Sequence, residues 1–298
     1  MSGRFGSVLT AMVTPFDREG RVDVDTAVRL ARWLVEKSND GLVVTGTTGE
    51  SPVLTDEEKI AQWRAVAEAV TVPVVAGTGT YDTAHSIELT KAAESAGVAA
   101  ILAVCPYYNR PSQAGIEAHF RAIAGATSLP VMLYDIPGRT GRKVTSATLL
   151  RLASDVPNIV AVKDAAGDAP ASAALLAAAP DGFELYSGDD SMTLPLLSIG
   201  ASGVVGVATH WASEVFAEMV RSYESGDVAG ALACHRRLLP TFAYETTEEN
   251  PYPVPAKAML RELGFPVGPP RLPHVESDGE GLRAAARRII EDLGLTGA

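Results

Sequence analysis

GLVVTGTTGESPVLTDEEK, residues 41–59, carries one full unit of the pattern on which the chain is built. Residues 41–44 are a short apolar run, rich in β-branched side chains and apolar on both faces, as a strand buried on both sides requires. A turn rich in glycine and threonine follows, Thr45-Gly46-Thr47-Thr48-Gly49-Glu50. Thr55-Asp56-Glu57-Glu58 then reads as a helix start, a hydroxyl cap followed by acids near the positive helix end. Outward in both directions the same alternation recurs, with apolar runs at 8–13, 74–76, 100–104, 131–134, 159–162, 184–187 and 203–207. Thr145 caps the helix after the fifth run in the same way. Short runs separated by longer helical segments are the mark of parallel strands joined by crossover helices. Eight such units predict a TIM-type (β/α)8 barrel, with an open doubly wound sheet as the alternative.

From about Gly226 the alternation stops. Helical segments near 228–239, 256–263 and 279–293 follow, punctuated by Pro251, Pro253 and Pro255, then by Pro266, Pro269, Pro270 and Pro273. The expected organisation is therefore a catalytic barrel over residues 1–225 and a C-terminal helical region over 226–298.

Composition narrows the function. The 298 residues are 47% hydrophobic and 20% charged, enough for a large core, and the net charge of −11 argues against nucleic acid or an anionic membrane as partner. Cys105 and Cys234 stand far apart, so neither a disulfide framework nor a zinc site is indicated and both are expected as reduced thiols in the cytoplasm. The segment 1–8 lacks the pattern of a secretory signal, and the alanine-rich stretch 169–179 is too short to span a bilayer. His85, His119, His210, His235 and His274 show no clustered ligand spacing, so no metal is expected. No dinucleotide or phosphate-loop motif is present and Ser202 is not in a GxSxG setting; no cofactor is expected.

In a parallel barrel the chemistry sits where strands end at their C-terminal side. Of six lysines only Lys163 falls at such an end; Lys37, Lys59, Lys91, Lys143 and Lys257 are placed on helix surfaces or in a loop. An amine in a low-dielectric interior favours its neutral form, which is the form that attacks a carbonyl. Position alone leaves open a structural pairing of Lys163 with Asp164. The turn 46–49 offers N–H and hydroxyl donors suited to a small carboxylate, or is an ordinary tight turn. Tyr134 and Tyr108 are proton carriers or packed phenols, and Arg139 is a carboxylate clamp or a surface ion-pair partner.

Taken together, GTTGES at 46–51, PYYNRPS at 106–112, LYDIPGRTG at 133–141, VKDAAGD at 162–168 and YSGDD at 186–190 resemble the dihydrodipicolinate synthase family, one branch of the pyruvate-dependent lysine aldolases that include N-acetylneuraminate lyase. The resemblance spans nearly the whole chain. It implies that Lys163 forms an imine with pyruvate, that Thr47 and Thr48 hold the pyruvate carboxylate, and that Gly188 and Val205 line the pocket through backbone groups. It further implies that Tyr134 carries protons through Thr47 to a Tyr108 reaching in from a neighbouring subunit, which requires at least a tight dimer and commonly a dimer of dimers. Arg139 matches the clamp for the carboxylate of L-aspartate 4-semialdehyde and is absent from the lyase branch. Asp56, Lys59, Tyr81 and His85 depart from the inhibitor contacts of lysine-inhibited members, while Ser51 and Tyr107 are retained, so weak or absent inhibition by L-lysine is expected. The alternatives are an aldolase acting on a sugar acid and a catalytically silent barrel that binds a keto acid.

Overall fold

A computed structural model describes residues 3–297; Met1, Ser2 and Ala298, at the outer ends of the two expected regions, lie outside the described residues. The strands β1 (Val8–Ala11), β2 (Gly41–Val44), β3 (Val74–Gly77), β4 (Ala100–Val104), β5 (Val131–Asp135), β6 (Ile159–Asp164), β7 (Glu184–Ser187) and β8 (Gly203–Gly206) close into a parallel barrel in chain order. The expected barrel is present, and the open sheet is not. Around it run α1 (Val24–Glu36), α2 (Asp56–Ala69), α3 (Thr83–Ser95), α4 (Gln113–Ala124), the short α5 (Pro137–Thr140), α6 (Ser146–Asp155), α7 (Ala169–Ala178), α8 (Thr193–Leu197) and α9 (Thr209–Glu224). The helices α10 (Val228–Tyr244), α11 (Val254–Glu262) and α12 (Gly279–Leu293) complete the chain. Among the described residues no helix is long and apolar enough to cross a membrane.

Alternation along each strand divides the core in two. Leu9, Val43, Val75, Leu102, Met132, Ala161 and Val205 fill the barrel interior. Their neighbours Val8, Leu42, Val44, Ile101, Leu133 and Val162 face outward against Leu30, Trp63, Phe120, Leu152 and Phe216 of the helical shell. Both faces are apolar, as parallel strands demand. The outer layer also takes in Leu238, Val254, Met259 and Ile289 of α10–α12, so the C-terminal helices share the barrel's shell core.

The helix starts follow the local chemistry of the sequence. Thr55 Oγ1 accepts from Glu58 N–H while the Glu58 carboxylate accepts from Thr55 N–H, a reciprocal cap, and Thr145 Oγ1 accepts from Thr148 N–H. Pro170 sits in the first turn of α7, where its missing N–H costs nothing. Some boundaries differ from expectation. β1 ends at Ala11 because the Val13 N–H turns to His210 Nε2, and β8 ends at Gly206 because the Val207 N–H is taken by Asp190 Oδ2. β5 and β6 run on to Asp135 and Asp164, which stay in register with each other. α10 continues through Pro240 to Tyr244, five residues past its expected end at Leu239, packed on α9.

Candidate active site

The register of the sheet brings the candidate residues to one end of the barrel. Tyr134 on β5 pairs with Lys163 on β6, and Lys163 with Tyr186 on β7, so these side chains share the interior face. Lys163 is 5% exposed, and its Nζ lies 4.4 Å from the centre of the Tyr134 ring. Among the described residues it has no hydrogen-bond or ion-pair partner, Asp164 included. Asp164 is occupied elsewhere, accepting from Ala166 N–H and Ser172 Oγ, which removes the structural reading of the lysine. Burial pulls the Lys163 amine down to about 8, with Asp190 opposing and Arg139 adding to the fall.

Gly188 is required by this packing. A Cβ there would lie 3.0 Å from both Cγ and Cε of Lys163, so the small residue makes room for the amine's stem. Val205 lies buried in the barrel interior on β8.

The turn after β2 is held in an unusual shape. Thr45 (φ 56°) and Glu50 (φ 58°) both adopt left-handed backbone conformations, rare for a β-branched residue such as threonine. Two buried contacts fix them: Trp63 Nε1 donates to Thr45 Oγ1 at 2.7 Å, and Glu50 is ion-paired with Lys257 at 2.6 Å. The result places Thr47 on the wall of a cavity of about 300 Å³, together with Tyr134, Arg139, Tyr107 and His274. Thr47 hydrogen-bonds the Tyr134 phenol, which burial holds well above the usual tyrosine range. Thr48 is buried, and neither it nor Lys163, Gly188 or Val205 is on the wall of this cavity. Arg139, on α5 at the rim, lies 5.5 Å over the Tyr252 ring.

Tyr108 stands apart from this group. Tyr107 packs edge-on against Tyr81, Asn109 donates to the Tyr81 carbonyl, and Tyr108 between them, at φ 71°, is thrown outward and left 92% exposed. Within one chain it meets neither Thr47 nor Tyr134.

The placement of the lysines needs correction. Lys59 and Lys257 were assigned to helix surfaces, yet they are 4% and 0% exposed. α11 is buried on every side from Val254 to Leu260, so its helical period carries no exposed face to read. Burial pulls the Lys257 amine to about 8 as well, with Glu50 opposing. Sequence reading also missed Asp190, Glu245 and Tyr252. Asp190 carried the available signal, since it follows the C-terminal end of β7.

With this geometry in place, comparison with known proteins is direct. The chain is 53% identical over 290 residues, 97% of its length and 98% of the relative's, to 4-hydroxy-tetrahydrodipicolinate synthase of Moorella thermoacetica. Its fold matches the crystal structure of dihydrodipicolinate synthase from Bacillus anthracis with TM-score 0.93 and 42% identity, covering 97% of this chain and 98% of that one. It matches the lysine-bound enzyme from Cyanidioschyzon merolae with TM-score 0.94 and 43% identity, covering 98% and 99%. Since the model of the dihydrodipicolinate synthetase family also matches residues 4–292, nearly end to end, the chain belongs to that family.

Proposed function

We propose that this chain has 4-hydroxy-tetrahydrodipicolinate synthase activity, condensing pyruvate with L-aspartate 4-semialdehyde in the diaminopimelate route to lysine, in the cytoplasm. One observation carries the reading: a buried lysine amine with no bonded partner, its pKa drawn down to about 8, lies at the end of a barrel against the ring of Tyr134, which lines the cavity. Such an amine is neutral often enough at physiological pH to act as a nucleophile.

The Lys163 lone pair adds to the keto carbon of pyruvate; the carbonyl oxygen takes up two protons and leaves as water, forming a protonated imine. Loss of a methyl proton gives an enamine, whose carbon bonds to the aldehyde carbon of the second substrate. That substrate's amino group then adds to the imine carbon, closing the ring and expelling the Lys163 amine. Thr47 and Thr48 hold the pyruvate carboxylate, Gly188 and Val205 line the pocket, and Arg139 at the rim holds the carboxylate of the aldehyde. Tyr134 moves protons through Thr47, a role supported by their hydrogen bond.

Tyr108 completes the relay from a second copy of the chain. Its exposure and strained backbone support that role, since a ring directed into water at this cost gains its contact elsewhere. The working unit is then at least a dimer, and a dimer of dimers is expected. In this reading the catalytic barrel spans residues 1–225, and 226–298 braces it.

L-lysine is expected to inhibit weakly or not at all. Asp56 is paired with His85 at 2.9 Å, and the Lys59 amine is buried beside it, which leaves that corner poor in free acceptors for a second cation. Half-inhibition at submillimolar lysine contradicts this. A panel of aldehydes with pyruvate fixed tests the function itself. Turnover of aspartate semialdehyde is expected, and turnover only of N-acetylneuraminate or 2-keto-3-deoxygluconate overturns the assignment.

A further inference from the structure

Behind Lys163 lie two carboxyl groups that the mechanism above does not use. Asp190, in the turn after β7, is 1% exposed, and Glu245, capping the end of α10, is 3% exposed. Their carboxyl groups lie close enough to interact directly, each changing the other's readiness to ionise. An ionised carboxylate only accepts, so two of them form such a contact only when one proton lies between them. The remaining contacts sharpen the point. Asp190 Oδ2 accepts from the Val207 N–H at 2.8 Å, and Glu245 Oε1 accepts from the Tyr252 hydroxyl at 3.0 Å. The other two oxygens, Asp190 Oδ1 and Glu245 Oε2, have no ordinary donor among the described residues. A Cβ on Gly206 would sit 2.1 Å from Asp190 Oδ1, so β8 closes directly over the pair.

We propose that Asp190 and Glu245 share a single proton and act as a positioning pair for Lys163, with Glu245 the protonated donor and Asp190 the charged acceptor facing the amine. Burial favours protonation of both acids. Asp190 resists it because the Val207 N–H and the Lys163 charge stabilise its ionised form, whereas the neighbouring Asp190 pushes Glu245 further up. The groups facing the pair are Asp189, Lys163 and Tyr252, with Arg139 stacked beyond Tyr252.

The shared proton sets the charge behind the nucleophile. Two full charges there would pin Lys163 as an ammonium and suppress attack; none would leave the cationic imine without a counter-charge in a low-dielectric core. One charge serves both states. Tyr252 extends the arrangement to the cavity rim, because the same ring that donates to Glu245 lies under the Arg139 guanidinium. The C-terminal region thereby braces both the amine and the proposed clamp.

This inference rests on the reading of Lys163 as the amine that condenses with pyruvate, so the experiment separates the two. The full-length protein is compared with Glu245→Gln, Glu245→Leu and Asp190→Asn by pH profile, by borohydride trapping with pyruvate and by infrared spectroscopy. Glu245→Gln still offers an N–H to Asp190 and rescues most of the activity that Glu245→Leu loses. Glu245→Leu and Asp190→Asn lower kcat at least about tenfold, the order of effect of one lost charge contact at a reacting centre. Asp190→Asn also moves the acid limb of kcat/KM to lower pH, since the charge that raises the Lys163 pKa is gone. The wild-type protein shows a protonated-carboxyl band at neutral pH that Glu245→Gln lacks.

Absence of that band, or a Gln variant indistinguishable from the Leu variant, overturns the proposal even where trapping succeeds. If pyruvate is not trapped on the wild-type protein, the function reading fails instead, and the band alone decides whether the pair shares a proton.

Discussion

Lys163 ends the apolar part of β6 inside the barrel, and Lys257 lies midway along α11 in the C-terminal helices. Burial draws both amines down to about 8. Their surroundings differ. Lys257 Nζ meets Glu50 at 2.6 Å, donates to the Pro269 carbonyl at 3.2 Å and lies 4.0 Å from the centre of the Phe16 ring. Among the described residues Lys163 has the Tyr134 ring and, through space, the charges of Asp190 and Arg139. A lowered pKa therefore does not by itself mark a nucleophile; what marks one is an amine with no bonded partner to give up before it reacts. Lys257 has a different task. Its ion pair holds Glu50 in a left-handed conformation and so fixes the turn that presents Thr47.

The most forceful way to break this contrast is to remove each amine in turn. Lys163→Ala is expected to lower turnover below about one part in ten thousand, the scale seen when a covalent nucleophile is deleted, while circular dichroism stays native. Retained turnover ends the contrast. Tyr134→Phe keeps the ring beside Lys163 and removes only the hydroxyl that Thr47 bonds; kcat is expected to fall about 10²–10⁴-fold, with trapping of pyruvate reduced far less.

Stability separates the lysines with opposite signs. Lys257→Met leaves Glu50 buried without its cation and is expected to cost about 3–5 kcal/mol in urea unfolding. Lys163→Met should stabilise instead. The folded state holds this amine below its usual 10.5, so between about pH 8 and 10.5 the unfolded chain binds a proton that the folded one has released, and wild-type stability rises with pH through that window. Below pH 8 both states carry the charge and the folded state bears its burial, so the methionine variant gains up to about 3 kcal/mol there. Equal signs for the two variants would refute the comparison.

The smallest expected effect is in the pH profile. Activity is governed by neutral Lys163, so wild-type kcat/KM should climb as pH rises toward about 8 and level off above it. An acid limb centred near pH 6 would point to another group.

The barrel was legible because its signal is local. Each strand is a continuous apolar run, and parallel strands buried on both faces leave little else for such runs to be. Lys163 stood out for the same reason, as a charge interrupting one of them. Tyr134, Thr47 and Arg139 follow the ends of strands, where the fold places chemistry, and the structure brings all three to one cavity wall.

What the sequence hid depends on contacts between distant segments. Glu245 lies in the polar stretch Glu245-Thr246-Thr247-Glu248-Glu249-Asn250, which reads as a solvated connection, and only the packing of α10 carries it to Asp190. Lys257 was hidden because a helix surrounded on every side has no polar face to betray its one buried charge.

Borohydride reduction in the presence of pyruvate, followed by peptide mapping, tests the central claim most directly. A single adduct is expected on the peptide containing Lys163, with the equally depressed Lys257 unmodified. An adduct on Lys257, or no adduct on either, contradicts the account.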